Sequence, residues 1–178
     1  MILTYTGKLI DPFNVKPENI CIEDIAHGLS LLCRYNGQCH RFYSVAEHCI
    51  IMATHSKFKK WNPLVMLLHD AAEAYIGDMI RPIKGDLPQF KQFENNFMVA
   101  ITHKLTNKSL SIFATVEKPD NIMLATEASQ MTKAPNKYYE KEFGLPDILI
   151  DKSIQFYYFT PQEAEKRFLV LYNKLKGN

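Results

Sequence analysis

Apolar residues recur at helical spacing along most of this chain. Ile22, Ile25, Ala26, Leu29 and Leu32/Cys33 share one helix face, with Glu23 and Asp24 in the first turn where the helix dipole favours acids. That spacing predicts a helix of about three turns, ending near Asn36-Gly37. Ser44-Val-Ala-Glu47 has the form of a capping box and predicts a second helix running to about His55. Asn62-Pro63 supplies a cap and a proline at the first helical position, so a third helix should run from Pro63 to about Tyr75 and stop at Gly77. After Arg81-Pro-Ile-Lys84 and a Gly85-Asp-Leu-Pro88 turn, Phe90, Phe93, Phe97, Ile101 and Leu105 mark a fourth, long amphipathic helix. Pro119 opens a fifth, and Thr160-Pro-Gln-Glu163, a second capping box, leads into a last helix through Phe168, Leu171, Tyr172 and Leu175.

Outside this pattern, the first ten residues alternate around Gly7 and then reach Asp11-Pro12, which suits a short hairpin or an extended arm. The expected class is therefore all-α, a helical bundle with a short N-terminal β-hairpin or arm. With 178 residues and 47% hydrophobic content, residues 1–178 are expected to form a single domain with a substantial core. A formal net charge of +2 is too balanced for a protein that coats nucleic acid or a membrane surface. No apolar run approaches the roughly 20 residues needed to span a bilayer, so no membrane partner is expected. Cys21, Cys33, Cys39 and Cys49 contain no Cys-x-x-Cys pair, and the first residues lack the form of a signal peptide. These features point to reduced cysteines acting as small apolar residues in a cytoplasmic protein, of a bacterium or of a phage-infected host.

One place breaks the apolar pattern in a way that suggests chemistry. His69-Asp70 stands inside Leu64-Val-Met-Leu-Leu-His-Asp-Ala-Ala-Glu-Ala-Tyr75, with Glu73 one turn further on. Interior charge is costly unless neutralised, and at paired imidazole and carboxylate groups a divalent cation is the usual partner. His48, on the preceding helix, can face His69 across an antiparallel pair. Asp120 interrupts the fifth helix in the same manner. Two imidazoles and two carboxylates make a nitrogen and oxygen set suited to one divalent ion, Mn²⁺, Co²⁺, Zn²⁺, Mg²⁺, Fe²⁺ or Ni²⁺. Arg34 offers a planar fork for phosphate oxygens, and Lys84 a second phosphate contact.

His48 in Ser-Val-Ala-Glu-His, the doublet in Leu-Leu-His69-Asp70-Ala-Ala-Glu73-Ala-Tyr-Ile-Gly77-Asp78, and the later Asp120 resemble the H…HD…D signature of the HD-domain phosphohydrolases. The resemblance covers most of residues 18–130. Within that superfamily the chain is most similar to small single-domain nucleotide hydrolases of bacteria and phages, the 5′-deoxynucleotidases and the deoxyadenosine-triphosphate hydrolases. It implies an all-α, homo-oligomeric protein, at least a dimer, that holds one divalent metal through His48, His69, Asp70 and Asp120. It further implies that Glu73 and Asp78 handle water and protons, and that Arg34, followed by aromatic Tyr35, grips phosphate. Ile20, Ile22 and Pro82 match residues that form an apolar slot for a base, and His40, in Gly37-Gln-Cys-His40, is a candidate substrate contact.

The expected function is cleavage of phosphate from 2′-deoxynucleoside 5′-phosphates, with deoxyadenosine nucleotides preferred. A broad 5′-deoxynucleotidase acting on monophosphates is the nearest alternative. A non-catalytic HD module that binds a nucleotide is the rival from another class, and a helical interaction module would leave the four ligand candidates apart. Residues 131–178 carry no motif.

Overall fold

The computed structural model describes residues 1–134, 137–144 and 150–177. It is helical, as the apolar spacing predicts, and its one sheet among the described residues is an N-terminal hairpin. Strands β1 (Ile2–Leu3) and β2 (Leu9–Ile10) pair antiparallel, Ile2 opposite Ile10. Gly7, at φ 84°, makes the turn. The backbone amide and hydroxyl of Thr6 both donate to the Asp24 carboxylate, 2.7 and 3.0 Å, and tie the hairpin to the first helix.

The helices are α1 (Ile22–Leu31), α2 (Val45–Thr54), α3 (Pro63–Leu68), α4 (Glu73–Ile76), α5 (Arg81–Lys84), α6 (Pro88–Leu105), α7 (Glu117–Met131), α8 (Tyr138–Phe143) and α9 (Pro161–Lys176). Helix α2 is the axis of the fold. Every residue from Val45 to Met52 is buried, the signature of a helix enclosed on all sides. One face of it joins α1, α3, α6 and α9 through Ile25, Leu29, Leu68, Phe97, Ile101 and Phe168. The other joins Tyr43, Phe58, Met66, Val116, Met123 and Ile154.

Three expectations change. Helix α1 stops at Leu31, short of Asn36-Gly37, because the chain turns extended at Leu32 and pairs with the segment before α2. Val45 N donates to Leu32 O at 3.0 Å and Arg34 N to Tyr43 O at 2.9 Å. The helix expected from Pro63 to Tyr75 is broken into α3 and α4 by His69–Ala72. His69 and Ala72 keep helical dihedrals, but Ala71 N bonds Leu68 O and Glu73 N bonds Asp70 O, a tighter three-residue register. The His69 ring takes the Met66 carbonyl (Nδ1 to O, 2.8 Å), the acceptor that the Asp70 amide would use in an unbroken helix. Arg81–Lys84, to which the sequence pattern assigns no element, forms the short α5.

The two capping boxes part company. In α9 Thr160 and Glu163 exchange both bonds, as expected. In α2 the Ser44 hydroxyl accepts from Glu47 N at 3.1 Å, but the Glu47 side chain does not reach back. It is buried instead and accepts from Tyr157 N (2.7 Å), Tyr158 N (3.0 Å) and Phe159 N (2.8 Å), fastening the segment before α9 to the central helix. Glu47→Ala would remove the shared acceptor of these three part-buried amides and leave a cavity in the core. We expect it to lower unfolding free energy by about 3–5 kcal/mol in urea denaturation, with Glu47→Gln losing less. A loss below about 1 kcal/mol would show that the carboxylate does not hold this segment.

Candidate metal centre

The four ligand candidates come from three elements. His48 lies in the first turns of α2, His69 and Asp70 in the break between α3 and α4, and Asp120 in the first turn of α7. His48 Nε2 is 3.3 Å from His69 Nε2 and 3.4 Å from Asp120 Oδ1. His69 Nε2 is 3.2 Å from Asp70 Oδ2 and 3.9 Å from Asp120 Oδ1, and Asp70 Oδ2 is 3.8 Å from His48 Nε2. Two ligand atoms sharing one ion at about 2.1 Å stand about 3.0–3.4 Å apart when adjacent, so this donor set fits a single divalent cation. The helix break is part of that fit, because it sets His69 and its neighbour Asp70 on one side of the cleft.

The unused nitrogens fix both imidazoles. His48 Nδ1 donates to Glu127 Oε1 at 2.6 Å, and His69 Nδ1 donates to the Met66 carbonyl, so in each ring Nε2 is the atom presented to the site. Metal-binding histidines are commonly held this way, by a carboxylate or carbonyl on the far nitrogen. His48, His69 and Asp120 form one compact grouping, which Asp70 Oδ2 joins through His69 Nε2 (3.2 Å) and His48 Nε2 (3.8 Å); Cys49, His69 and Asp70 form a second, with Cys49 Sγ 3.8 Å from His69 Nδ1. We favour the first. Burial pushes the Cys49 thiol up to about 11, away from the thiolate a metal needs, and the Nδ1 it faces already carries a donated proton.

Glu127 is the site residue that the sequence reading left unassigned. It lies two turns beyond Asp120 on α7 and is fully buried. Its Oε2 accepts from Arg34 Nε (3.2 Å) and Nη2 (3.0 Å), and its Oε1 accepts from the Tyr43 hydroxyl (2.9 Å) as well as His48. Burial alone would raise its pKa, but Arg34 and then His48 hold the carboxylate below the usual range. The seven-residue interval from Asp120, which returns to the same helix face, was the available signal.

The centre opens into a cleft of about 290 Å³. Of the expected substrate and proton-handling residues, Arg34, Tyr35, Glu73, Asp78, Pro82 and Lys84 line it, beside Asp70 and Asp120. Arg34 is more committed than a free phosphate fork: besides its bonds to Glu127, its Nη1 stands 3.6 Å from Asp70 Oδ2. Lys84 pairs with Glu94. Glu73 is buried with Oε2 lacking any hydrogen-bond partner among the described residues. Burial, then the charges of Asp70 and Asp78, raises its pKa well above the ordinary carboxylate value. Asp78 is also raised, by burial first and by Asp70.

Three expected contacts are not at the cleft. Ile20 is in the main core and Ile22 packs against that core, because the turn into α1 aims both inward. His40 is exposed and turned toward α7, its backbone and ring nitrogens bonding Met131 O at 2.9 and 2.8 Å. Apolar walls come instead from Met79, Ile80, Pro82, Leu124 and, from the stretch without a motif, Tyr138. Arg81 was also unassigned; it donates to Asp120 Oδ2 (2.9 Å) and Asn121 Oδ1 (2.8 Å) and so orients one ligand candidate.

No family model matches the chain. It is 28% identical to an uncharacterized protein of Rhodobacter capsulatus, across 96% of this chain and 92% of the other. It is 32% identical to the uncharacterized protein YfdR of Escherichia coli, across 82% of this chain and 80% of YfdR. No helix among the described residues is long and apolar enough to cross a membrane.

Glu127→Gln keeps the shape of the buried network but removes the charge that faces His48 and Arg34. Loss of such an outer partner typically costs 10–100-fold in metal affinity, and we expect about that loss in Mn²⁺ titrations, with helical circular dichroism retained. Unchanged Mn²⁺ affinity would remove Glu127 from the centre.

Proposed function

We propose that this chain, which belongs to the same family as Escherichia coli YfdR, is a divalent-metal-dependent phosphohydrolase of the HD-domain type acting on 2′-deoxynucleoside 5′-phosphates. The observation that carries the reading is the convergence of His48, His69, Asp70 and Asp120 at the mouth of a cleft that also holds Glu73, Asp78, Arg34 and Lys84.

When bound, a divalent cation supplies Lewis acidity toward a phosphate oxygen and eases the deprotonation of water. The protein's own groups do the rest. Glu73 and Asp78, both raised above the ordinary carboxylate value by burial, accept a proton from the attacking water and return one to the leaving oxygen. Arg34, held by Glu127 and with Nη1 3.6 Å from Asp70 Oδ2, lines the cleft and serves there as a phosphate contact. Tyr35, Ile80, Pro82 and Leu124 offer apolar surface to a base, and deoxyadenosine nucleotides are the preferred substrates in this reading.

A second cleft of about 740 Å³ adjoins the first, sharing Arg81, Lys84 and Asp120 with it and adding Lys91 and Glu94 to the wall. Arg81 and Lys84 are paired with Asp120 and Glu94, so Lys91 is the cation of this cleft that supports a substrate with more than one phosphate, and with it release of triphosphate from deoxyadenosine triphosphate over monophosphate hydrolysis. A binding module without turnover has no use for a buried Glu73 Oε2 that has no hydrogen-bond partner among the described residues, which disfavours that alternative. In this proposal the protein works in the cytoplasm as a homo-oligomer. Leu3, Leu9 and Phe13, exposed along the N-terminal hairpin and the turn after it, are consistent with such association.

The test is a screen of deoxy- and ribonucleoside mono- and triphosphates with Mn²⁺, Co²⁺, Mg²⁺ or Zn²⁺, identifying the phosphate product. Deoxyadenosine and inorganic triphosphate are expected from deoxyadenosine triphosphate; orthophosphate from monophosphates alone would assign the broad deoxynucleotidase, and bound nucleotide without product the binding module. His69→Ala and Asp70→Ala should lose both metal and turnover. Glu73→Gln should keep one bound metal and lose about 10²–10⁴-fold in kcat, the usual contribution of a proton-transfer group. Wild-type turnover in any of the three would refute the mechanism.

A further inference from the structure

Cys33 and Cys39 stand outside the metal centre, six positions apart in the chain, with their sulfurs 3.6 Å from each other. What folds them together is an unusual turn: Tyr35 (φ 57°), Asn36 (φ 50°) and Gly37 (φ 76°) occupy the left-handed region in succession, a conformation costly for the first two. Both ends of the turn are pinned. Cys33 pairs with Ser44 in an isolated antiparallel bridge, and His40, next to Cys39, bonds Met131 O through its backbone and its ring. Cys33 and Cys39 are both half-buried, the Cys39 thiol also donating to Arg41 O at 2.9 Å; Cys49 is buried, and the Cys21 thiol donates to Glu23. Among the described residues, no other cysteine pair is in contact.

We propose that Cys33 and Cys39 form a reversible disulfide that closes the loop bearing Arg34 and Tyr35, and that its formation alters the adjoining cleft. The oxidant is a peroxide. One thiol gives a sulfenic acid and water; the second attacks that sulfur, forms the S–S bond and releases a second water, so that two thiols and one hydrogen peroxide yield one disulfide and two waters. A dithiol returns two electrons and two protons and is itself oxidised. With both ends pinned, closing the sulfurs from 3.6 Å to bonding distance is taken up within the segment between them, in which Arg34, Tyr35 and Gln38 line the cleft. The effect on turnover rests on the phosphohydrolase reading; formation of the disulfide does not.

The experiment titrates the full chain with hydrogen peroxide, alkylates the remaining thiols and maps the peptides by mass spectrometry. Two of the four cysteines should be lost together as a Cys33–Cys39 link, restored by dithiothreitol, and the link should be absent from both Cys33→Ser and Cys39→Ser. Links between chains, links through Cys21 or Cys49, or oxidation of Cys33 and Cys39 without joining would overturn the proposal. Nucleotide hydrolysis should fall on the order of tenfold to a hundredfold on oxidation of the wild type, and stay constant in Cys39→Ser. A disulfide with an unaltered rate would overturn its coupling to the cleft. Absence of hydrolysis in the reduced protein would instead defeat the phosphohydrolase reading, with the peptide map still deciding the disulfide.

Discussion

A carboxylate removed from water has to be neutralised where it stands, and in this protein the Glu127 carboxylate imposes that requirement on three elements at once. It draws Arg34 from the loop after α1, Tyr43 from the segment before α2 and His48 from α2 onto α7. Those contacts bring Asp120, on the same face of α7, to within reach of His48. They also leave His48 with one orientation and one available nitrogen. The candidate centre is therefore a consequence of how one buried charge is satisfied, as much as of the four side chains that form it.

The same logic operates one residue earlier on α2. Glu47 is equally buried and is satisfied by three backbone amides of the segment that leads into α9. Adjacent residues of one helix thus anchor two different structures: Glu47 the segment before α9, His48 the site. Both depend on α2 being enclosed by two apolar clusters, which keep water from competing for either group. The site's rigidity and the fold's closure share one element.

Much of the fold was legible because apolar spacing and caps report directly on backbone periodicity. The long run Phe90 to Leu105 and the Thr160 to Glu163 box became α6 and α9 nearly as expected. The break at His69–Ala72 was not legible, since its end residues His69 and Ala72 keep helical dihedrals and the hydrogen-bond register shifts where the His69 ring takes a backbone carbonyl. His48, His69, Asp70 and Asp120 stood out as polar groups in apolar surroundings, and the structure brings them together. The apolar lining of the cleft did not stand out. Ile20 and Ile22 are as apolar as Ile80 and Leu124, and which pair enters a cleft depends on tertiary placement: the left-handed Gly77 redirects the chain after α4. Tyr138 reaches the cleft from a stretch whose local pattern contains no motif.

The central claim is that His48, His69, Asp70 and Asp120 share one divalent cation. It is tested most directly by anomalous diffraction from crystals of the protein soaked in Mn²⁺. The account predicts one strong anomalous peak about 2.0–2.3 Å from His48 Nε2, His69 Nε2 and an oxygen of each aspartate. No peak within the four side chains at saturating Mn²⁺, or one bounded by Cys49 and His69 Nδ1 instead, would contradict it.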